Sequence, residues 1–216
     1  MFWVVRRGSV TVYTGEVRGV PNNTFFDSEP GGRGAAPKPL ALVQAFVNTV
    51  ATEGEHHWEV FADPGSLRSW LVCRGLLADG EPVGEDDVRR ARKVREALRA
   101  LLAANNSGEV DPGAVRTLNR AAERARLSVI FKEDGGAALK PGASGVDGVI
   151  GEVLAAVHAG MEEGMWGRLK SCANERCAWA FYDRSKNRSG RWCSMAVCGN
   201  RKKTRAYRRR VSNREP

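Results

Sequence analysis

The sequence predicts a mainly α-helical domain with a small β-hairpin, followed by a compact C-terminal module organised by cysteines. Three observations carry that prediction. Apolar residues recur at helical spacing between capping signals from Pro39 to Met161. Four of the five cysteines form two short-spaced pairs, Cys172-x4-Cys177 and Cys193-x4-Cys198, with fifteen residues between the pairs. Charge is segregated as well: residues 167–216 hold 15 basic and 3 acidic residues, a local net of +12, which leaves −3 for the remainder of a chain whose total is +9.

Residues 1–38 are read as an extension of undefined role. Within it, Val4-Val5 and Val10, Val12 and Tyr13 flank Arg7-Gly8-Ser9 in the pattern of a hairpin, and Pro30 to Pro37 has the composition of a connector. A helical domain is expected over residues 39–165. Leu42, Val43, Phe46, Val47 and Val50 line one face of its first helix. Asp63-Pro64 supplies an N-cap followed by proline at the first helical position, and Leu67, Trp70 and Leu71 form a stripe that Gly75 ends. Glu85-Asp86-Asp87 places acid in the first turn of a third helix, whose seam runs through Val88, Ala91, Val94, Leu98, Leu101 and Leu102 with arginines on the far face. Asp111-Pro112 repeats the cap-and-proline signal for a fourth helix to about Arg124, burying Val115, Leu118 and Ala122. Leu127 to Phe131 reads as a strand paired with Ala137 to Lys140 across Glu133-Asp-Gly-Gly, and a last helix spans Val146 to Met161.

Chemistry-bearing motifs are sparse in this domain. There is no phosphate-binding G-x-x-x-x-G-K-[ST], no H-E-x-x-H and no G-x-S-x-G, so no catalytic residue is assigned and no enzymatic activity is expected. His56-His57 is read as a solvated polar turn and His158 as a helix-boundary histidine. The opening apolar run is short and carries its charges on the wrong side for a secretory signal, and no stretch approaches 18 uninterrupted apolar residues. The expected compartment is the reducing cytoplasm, with no membrane partner.

In that compartment the paired cysteines stay available to metal, and the odd fifth, Cys73, argues against a disulfide framework. Two short-spaced pairs across a hairpin-sized loop suit one structural Zn2+ held by Cys172, Cys177, Cys193 and Cys198. Four thiolates leave no position for substrate, so the metal should hold the fold together. A knuckle, a hairpin and a helix delivering Cys198 describe a treble-clef-like finger over residues 166–211, with a ribbon as the alternative and residues 212–216 as a tail. Trp179, Phe181 and Trp192 are expected to form a mini-core beneath the metal, stacking on nucleic-acid bases being the other reading. The basic excess is the footprint of a polyanion binder. Its candidate contacts are Arg184, Lys186, Arg188 and Arg191 on the hairpin tip and Arg201, Lys202, Arg205, Arg208 and Arg209 on the final helix. Arg188 or Arg205 is the candidate for reading base edges.

Phe181-Tyr-Asp-Arg-Ser-Lys-Asn-Arg188, Trp192-Cys-Ser-Met195 and Cys198-Gly-Asn-Arg201, together with the first cysteine pair, resemble the CGNR zinc finger. Upstream, Leu40-Ala-Leu-Val-Gln-Ala-Phe-Val-Asn-Thr49, Leu67-x-x-Trp70 and Gly75-Leu-Leu77 are similar to the ABATE domain that accompanies this finger in bacterial proteins. The chain departs from that pattern by inserting Val43-Gln44 where members more often carry a single acidic residue before Phe46. The resemblance implies a stress-responsive bacterial transcription regulator with a DNA-binding finger, placed at the nucleoid. It also implies the four cysteines as ligands and Arg201 as a phosphate contact. Gly199 would let the backbone pass close to the metal, and Asn200 would bond within the turn or to a thiolate. The helical domain is then expected to sense a small-molecule effector or to form a homodimer. An RNA- or ribosome-associated protein and a protein-interaction adaptor are the competing classes.

Overall fold

A computed structural model describes residues 34–53 and 56–200, together with the backbone of two strands near the start of the chain. Those strands, β1 (Phe2–Arg6) and β2 (Ser9–Tyr13), pair antiparallel with Phe2 opposite Tyr13, as the valine pattern predicts. Five α-helices and four two-stranded antiparallel sheets make up the described residues.

Helix α1 (Leu40–Val47) buries Leu40, Val43, Phe46 and Val47. It is shorter than its apolar stripe suggests. Asn48 caps it through its N–H on the Gln44 carbonyl, and the Thr49 hydroxyl donates to the Phe46 carbonyl, which turns the chain away. Val50 therefore begins a strand, β3 (Val50–Glu53), paired with β4 (His56–Glu59) with Val50 opposite Glu59. This corrects the reading of His56-His57 as a polar turn. A single apolar residue one turn beyond a helix end carries no information that separates helix from strand, and here the cap decides.

The aromatic centre lies where α1 meets α2 (Pro64–Cys73): Phe46, Phe61 and Trp70 stack in tilted and edge-on pairs, with centroids 5.4 to 6.1 Å apart. The Asp63 carboxylate accepts the Ser66 N–H at 2.8 Å, so the predicted cap starts α2. Helix α3 (Glu85–Ser107) crosses the whole domain and buries Val88, Ala91, Val94, Leu98 and Leu102. Its arginines are not all on the far face. Arg95 is buried with its guanidinium forked on Glu59, both N···O distances 2.6 Å, and stacked over Phe61. Arg99 donates to the carbonyls of Val47 and Ala178. Both lie where α3 meets polar groups, the side chains of Glu59 and Thr49 for Arg95 and backbone carbonyls for Arg99.

Asp111 caps α4 (Pro112–Arg124) through the Gly113 N–H. Ala114 and Ala121 are the residues it buries, while Val115, expected inside, is 36% exposed because the small alanines bring the helix close on the adjacent face. Strands β5 (Leu127–Phe131) and β6 (Ala137–Pro141) form the expected hairpin, whose base packs on α5 (Gly145–Glu162). A Cβ at Gly151 would sit 2.6 Å from Pro141 Cβ, so only glycine permits that approach. The outer half of the hairpin runs past the helices, leaving Phe131 84% exposed.

The change of charge near Gly164–Gly167 is not a break in packing. Strands β7 (Leu169–Ser171) and β8 (Ala180–Tyr182) bring Leu169 and Ala180, both fully buried, into the same core as the helices. Side-chain amides hold them there. Asn48 brackets Ala180, donating to its carbonyl at 2.9 Å and accepting its N–H at 2.8 Å. Asn105 donates to the carbonyls of Trp166 and Leu169, and Asn106 to that of Ser171. The inserted Gln44 is buried, accepts the Ala36 N–H at 2.5 Å and donates to the Ala180 carbonyl at 3.4 Å. A neutral amide offers both donor and acceptor here, which an acidic residue could not. No helix among the described residues is long and apolar enough to cross a membrane.

The Arg95–Glu59 pair ties β4 to α3, and its removal is testable. Burial alone would raise the Glu59 pKa, but hydrogen bonds and charge from Arg95, the Phe61 N–H and Arg92 outweigh it and hold the carboxyl below its ordinary value of 4.5. A depressed carboxylate stabilises the fold fully above the ordinary value and loses that contribution as pH falls through the lower folded value. Glu59→Gln should therefore cost about 2 kcal/mol in urea unfolding at pH 7, by removing one of the two carboxylates, Glu59 and Glu96, that pair the buried guanidinium. The gap to wild type should stay constant down to about pH 5 and narrow toward pH 3.

Candidate metal centre

The cysteines reach one point by four short pieces of backbone. Strand β7 delivers Cys172, whose N–H bonds the Trp179 carbonyl at 2.9 Å. A tight turn follows, in which the N–H groups of Cys177 and Ala178 both donate to the Asn174 carbonyl. Ala178 leaves this turn in the left-handed region, φ 46°, with its carbonyl held by Arg99 and by the Ser171 hydroxyl. After β8 and an exposed loop, Ala173 N–H on the Arg191 carbonyl brings Cys193 beside the first pair. A single wide helical turn, Met195–Gly199, then supplies Cys198, with the N–H groups of Cys198 and Gly199 both on the Ser194 carbonyl.

All four sulfur atoms lie within 4.8 Å of one another. Cys177 Sγ is 3.5 Å from Cys193 Sγ, which is 3.6 Å from Cys198 Sγ. Zn–S bonds of about 2.3 Å imply tetrahedron edges of about 3.8 Å, so these thiols already approximate the corners of one site. Their electrostatics point the same way. Hydrogen bonds from the Cys177 and Cys193 thiols pull the Cys172 pKa down to about 2, and the same sharing pushes Cys177 up to about 12 and raises Cys193. Without a cation one thiolate forms and its neighbours must keep their protons; a divalent ion removes that conflict. Asn174 Nδ2 points at Cys198 Sγ, 3.6 Å away, giving that sulfur a donor from outside the ligand set. Cys73 is exposed on α2 and lies outside the cluster.

Trp179 and Phe181 are buried against the thiols, so they form the mini-core rather than a stacking platform. Trp192 leans on the same cluster, and so does Trp58 from β4, a contact that no local spacing announces. Gly199 allows a close approach, but to a thioether: its Cβ would fall 2.8 Å from Met195 Sδ.

Of the candidate nucleic-acid contacts, Arg184, Lys186, Arg188 and Arg191 are all exposed on the loop between β8 and Cys193. Arg184 is partly occupied by its own chain, donating to the Ala35 carbonyl at 2.7 Å and lying over Tyr182. Arg188 stands in the left-handed region with φ 52°. Arg201, Lys202, Arg205, Arg208 and Arg209 lie outside the described residues, as does the final helix assigned to them. Asp183 and Lys170, to which the sequence analysis gives no role, form a buried ion pair, Nζ to Oδ2 2.9 Å, beneath the loop.

A four-cysteine zinc finger docked on a helical domain is thus the class of protein that fold and site define. Residues 40–161 match the ABATE family, described as "Putative stress-induced transcription regulator", and residues 168–211 match the CGNR zinc finger. The first match spans more than half of the chain, which belongs to that family. No match to a curated protein was found. The cofactor is one zinc ion, for which the four thiolates supply a closed structural shell.

Elemental analysis should find one zinc per chain in wild type and in Cys73→Ala, and none in Cys198→Ser. Structural zinc in a small finger contributes on the order of 10 kcal/mol to its folding. Stripping the metal with a chelator should therefore open residues 172–199 to proteolysis. Because Leu169 and Ala180 sit in the main core, it should also lower the thermal midpoint of the helical domain rather than leave it unchanged.

Proposed function

We propose that this protein is a DNA-binding transcription regulator whose zinc finger contacts duplex DNA through the loop after β8 and the basic segment that follows Gly199. The observation that carries the reading is the exposed loop itself: four cations, Arg184, Lys186, Arg188 and Arg191, project from a support fixed by metal and by core packing. The family description supports regulation. Lys and Arg presented on one surface neutralise phosphates and release counterions, which supplies affinity without sequence information. Arg188 is the residue proposed to read a base edge. An L-residue held at φ 52° costs about 1 kcal/mol, a strain retained where the side chain it aims has a use.

The helical domain supplies effector sensing or self-association, and the protein works in the cytoplasm, at the nucleoid, without catalysing a reaction. Any displacement of α1 or α3 reaches the finger directly, since Asn48, Arg99 and Asn105 grip its backbone. Binding to duplex DNA, with structured RNA as competitor, tests the reading. With about five phosphates contacted, log K should fall against log salt with a slope near −4.5; Lys186→Ala should reduce that slope by about one, whereas Arg188→Ala should cost discrimination at one base pair, about 1 to 3 kcal/mol. Preference for RNA would reassign the finger to an RNA-associated role. Absence of salt-sensitive binding would remove nucleic acid from the account in favour of a protein adaptor, and binding unchanged in Arg201→Ala/Arg205→Ala/Arg208→Ala would make the segment after Gly199 a solvated basic tail.

A further inference from the structure

The loop that carries the four cations has an unusual interior. Lys170 is buried on β7, and its ammonium donates to three acceptors: Asp183 Oδ2 and the carbonyls of Arg188 and Gly190. An ammonium has three donors, so its capacity is filled. Asp183 is buried opposite, accepting the Ser185 N–H at Oδ1 and the Gly190 N–H at Oδ2. Arg168, the residue before β7, donates to the carbonyls of Asp183 and Ser185. The carbonyl oxygens of residues 188 and 190 are thus drawn inward onto buried Lys170, and those of residues 183 and 185 onto Arg168. Gly190 is packed so closely that a Cβ there would lie 2.8 Å from the Asp183 carboxylate. Burial would raise the Asp183 pKa, but the bonds from Ser185, Lys170 and Gly190 outweigh it and depress it, so the carboxylate stays ionised at neutral pH.

Turning carbonyls inward has an electrostatic result. Carbonyl oxygens are the negative ends of the backbone dipoles and would repel a phosphate; cations and N–H groups attract one. A buried ion pair contributes little net stability compared with apolar residues of similar size, so stability alone does not account for this one. We infer that Lys170 and Asp183 are positioning residues for polyanion binding: they preorganise residues 184–191 so that Arg184, Lys186, Arg188 and Arg191 meet the duplex without paying to order the loop. This rests on the DNA-binding reading above. Lys170 itself touches no phosphate, because it is buried beneath the loop.

Charge-balanced replacement provides the test, since Lys170→Met/Asp183→Leu strands no buried charge and should retain its zinc and helical content. The measurement is duplex-DNA affinity across a salt series for wild type, the double variant and Lys186→Ala, with amide hydrogen exchange at Ser185 and Gly190. In the double variant affinity should fall at least tenfold at an unchanged salt slope while exchange at both amides accelerates; in Lys186→Ala the slope should fall by about one. Affinity within twofold of wild type would overturn the inference and leave the DNA-binding reading standing. A slope reduced as in Lys186→Ala would overturn it too, by making Lys170 a direct contact. Loss of zinc from the double variant would assign the pair to support of the metal centre instead. Absence of salt-dependent binding by wild type would remove both readings together.

Discussion

Four sulfur atoms within 4.8 Å of one another cannot all carry charge unless a cation sits among them. The knuckle at Cys172–Cys177 and the turn that carries Cys198 depend on that constraint. With the ion absent, protons distribute unevenly over the thiols and hold the cluster only by weak S–H contacts; with it, the knuckle, the exposed loop and the turn at Met195–Gly199 become fixed with respect to one another. The aromatic residues around the site, Trp58, Trp179, Phe181 and Trp192, then exclude water from the Zn–S shell and lower the local dielectric, which strengthens the attraction between ion and thiolates.

A finger of this size cannot bury enough apolar surface to be self-sufficient. This chain meets the shortage from two sides, with metal below and the helical domain behind. The second support uses polar groups rather than more apolar area: Asn48, Arg99, Asn105 and Asn106 occupy backbone donors and acceptors of β7, β8 and the knuckle that would otherwise be buried unpaired. Directional bonds of this kind fix an orientation as well as a contact. The finger is therefore held at one angle on the helical domain.

Much of this was legible beforehand. Cap-and-proline signals at Asp63-Pro64 and Asp111-Pro112 located two helix starts, because the requirement they meet is local: an unpaired N–H at a helix end. The cysteine spacing was legible for a similar reason, since two short loops must close on one ion. What sequence could not display is pairing between residues far apart. Glu59 with Arg95, and Trp58 against the thiols, join positions whose separation carries no period. Polar residues that do interior work also look like surface residues in a sequence: Arg95 and Arg99 had the look of an outward face, and nothing in their spacing sets Asn105, Asn106 or Asp183 apart from solvated polar residues. Periodicity itself misled at Val50, which belongs to a strand, and at Val115, which is exposed on α4.

Arg99 has one further consequence, for the order of events during synthesis. Its guanidinium holds Val47 on one side and Ala178 on the other, so a group near the middle of the chain waits for a partner made much later. While the ribosome is still translating the interval, α1 and α3 can already collapse around Phe46, Phe61 and Trp70, but the niche for Leu169 and Ala180 stays open to solvent. The nascent helical domain thus carries a vacant apolar slot bordered by unsatisfied amides until β7 and β8 emerge, which makes that interval the time when a chaperone has something to hold.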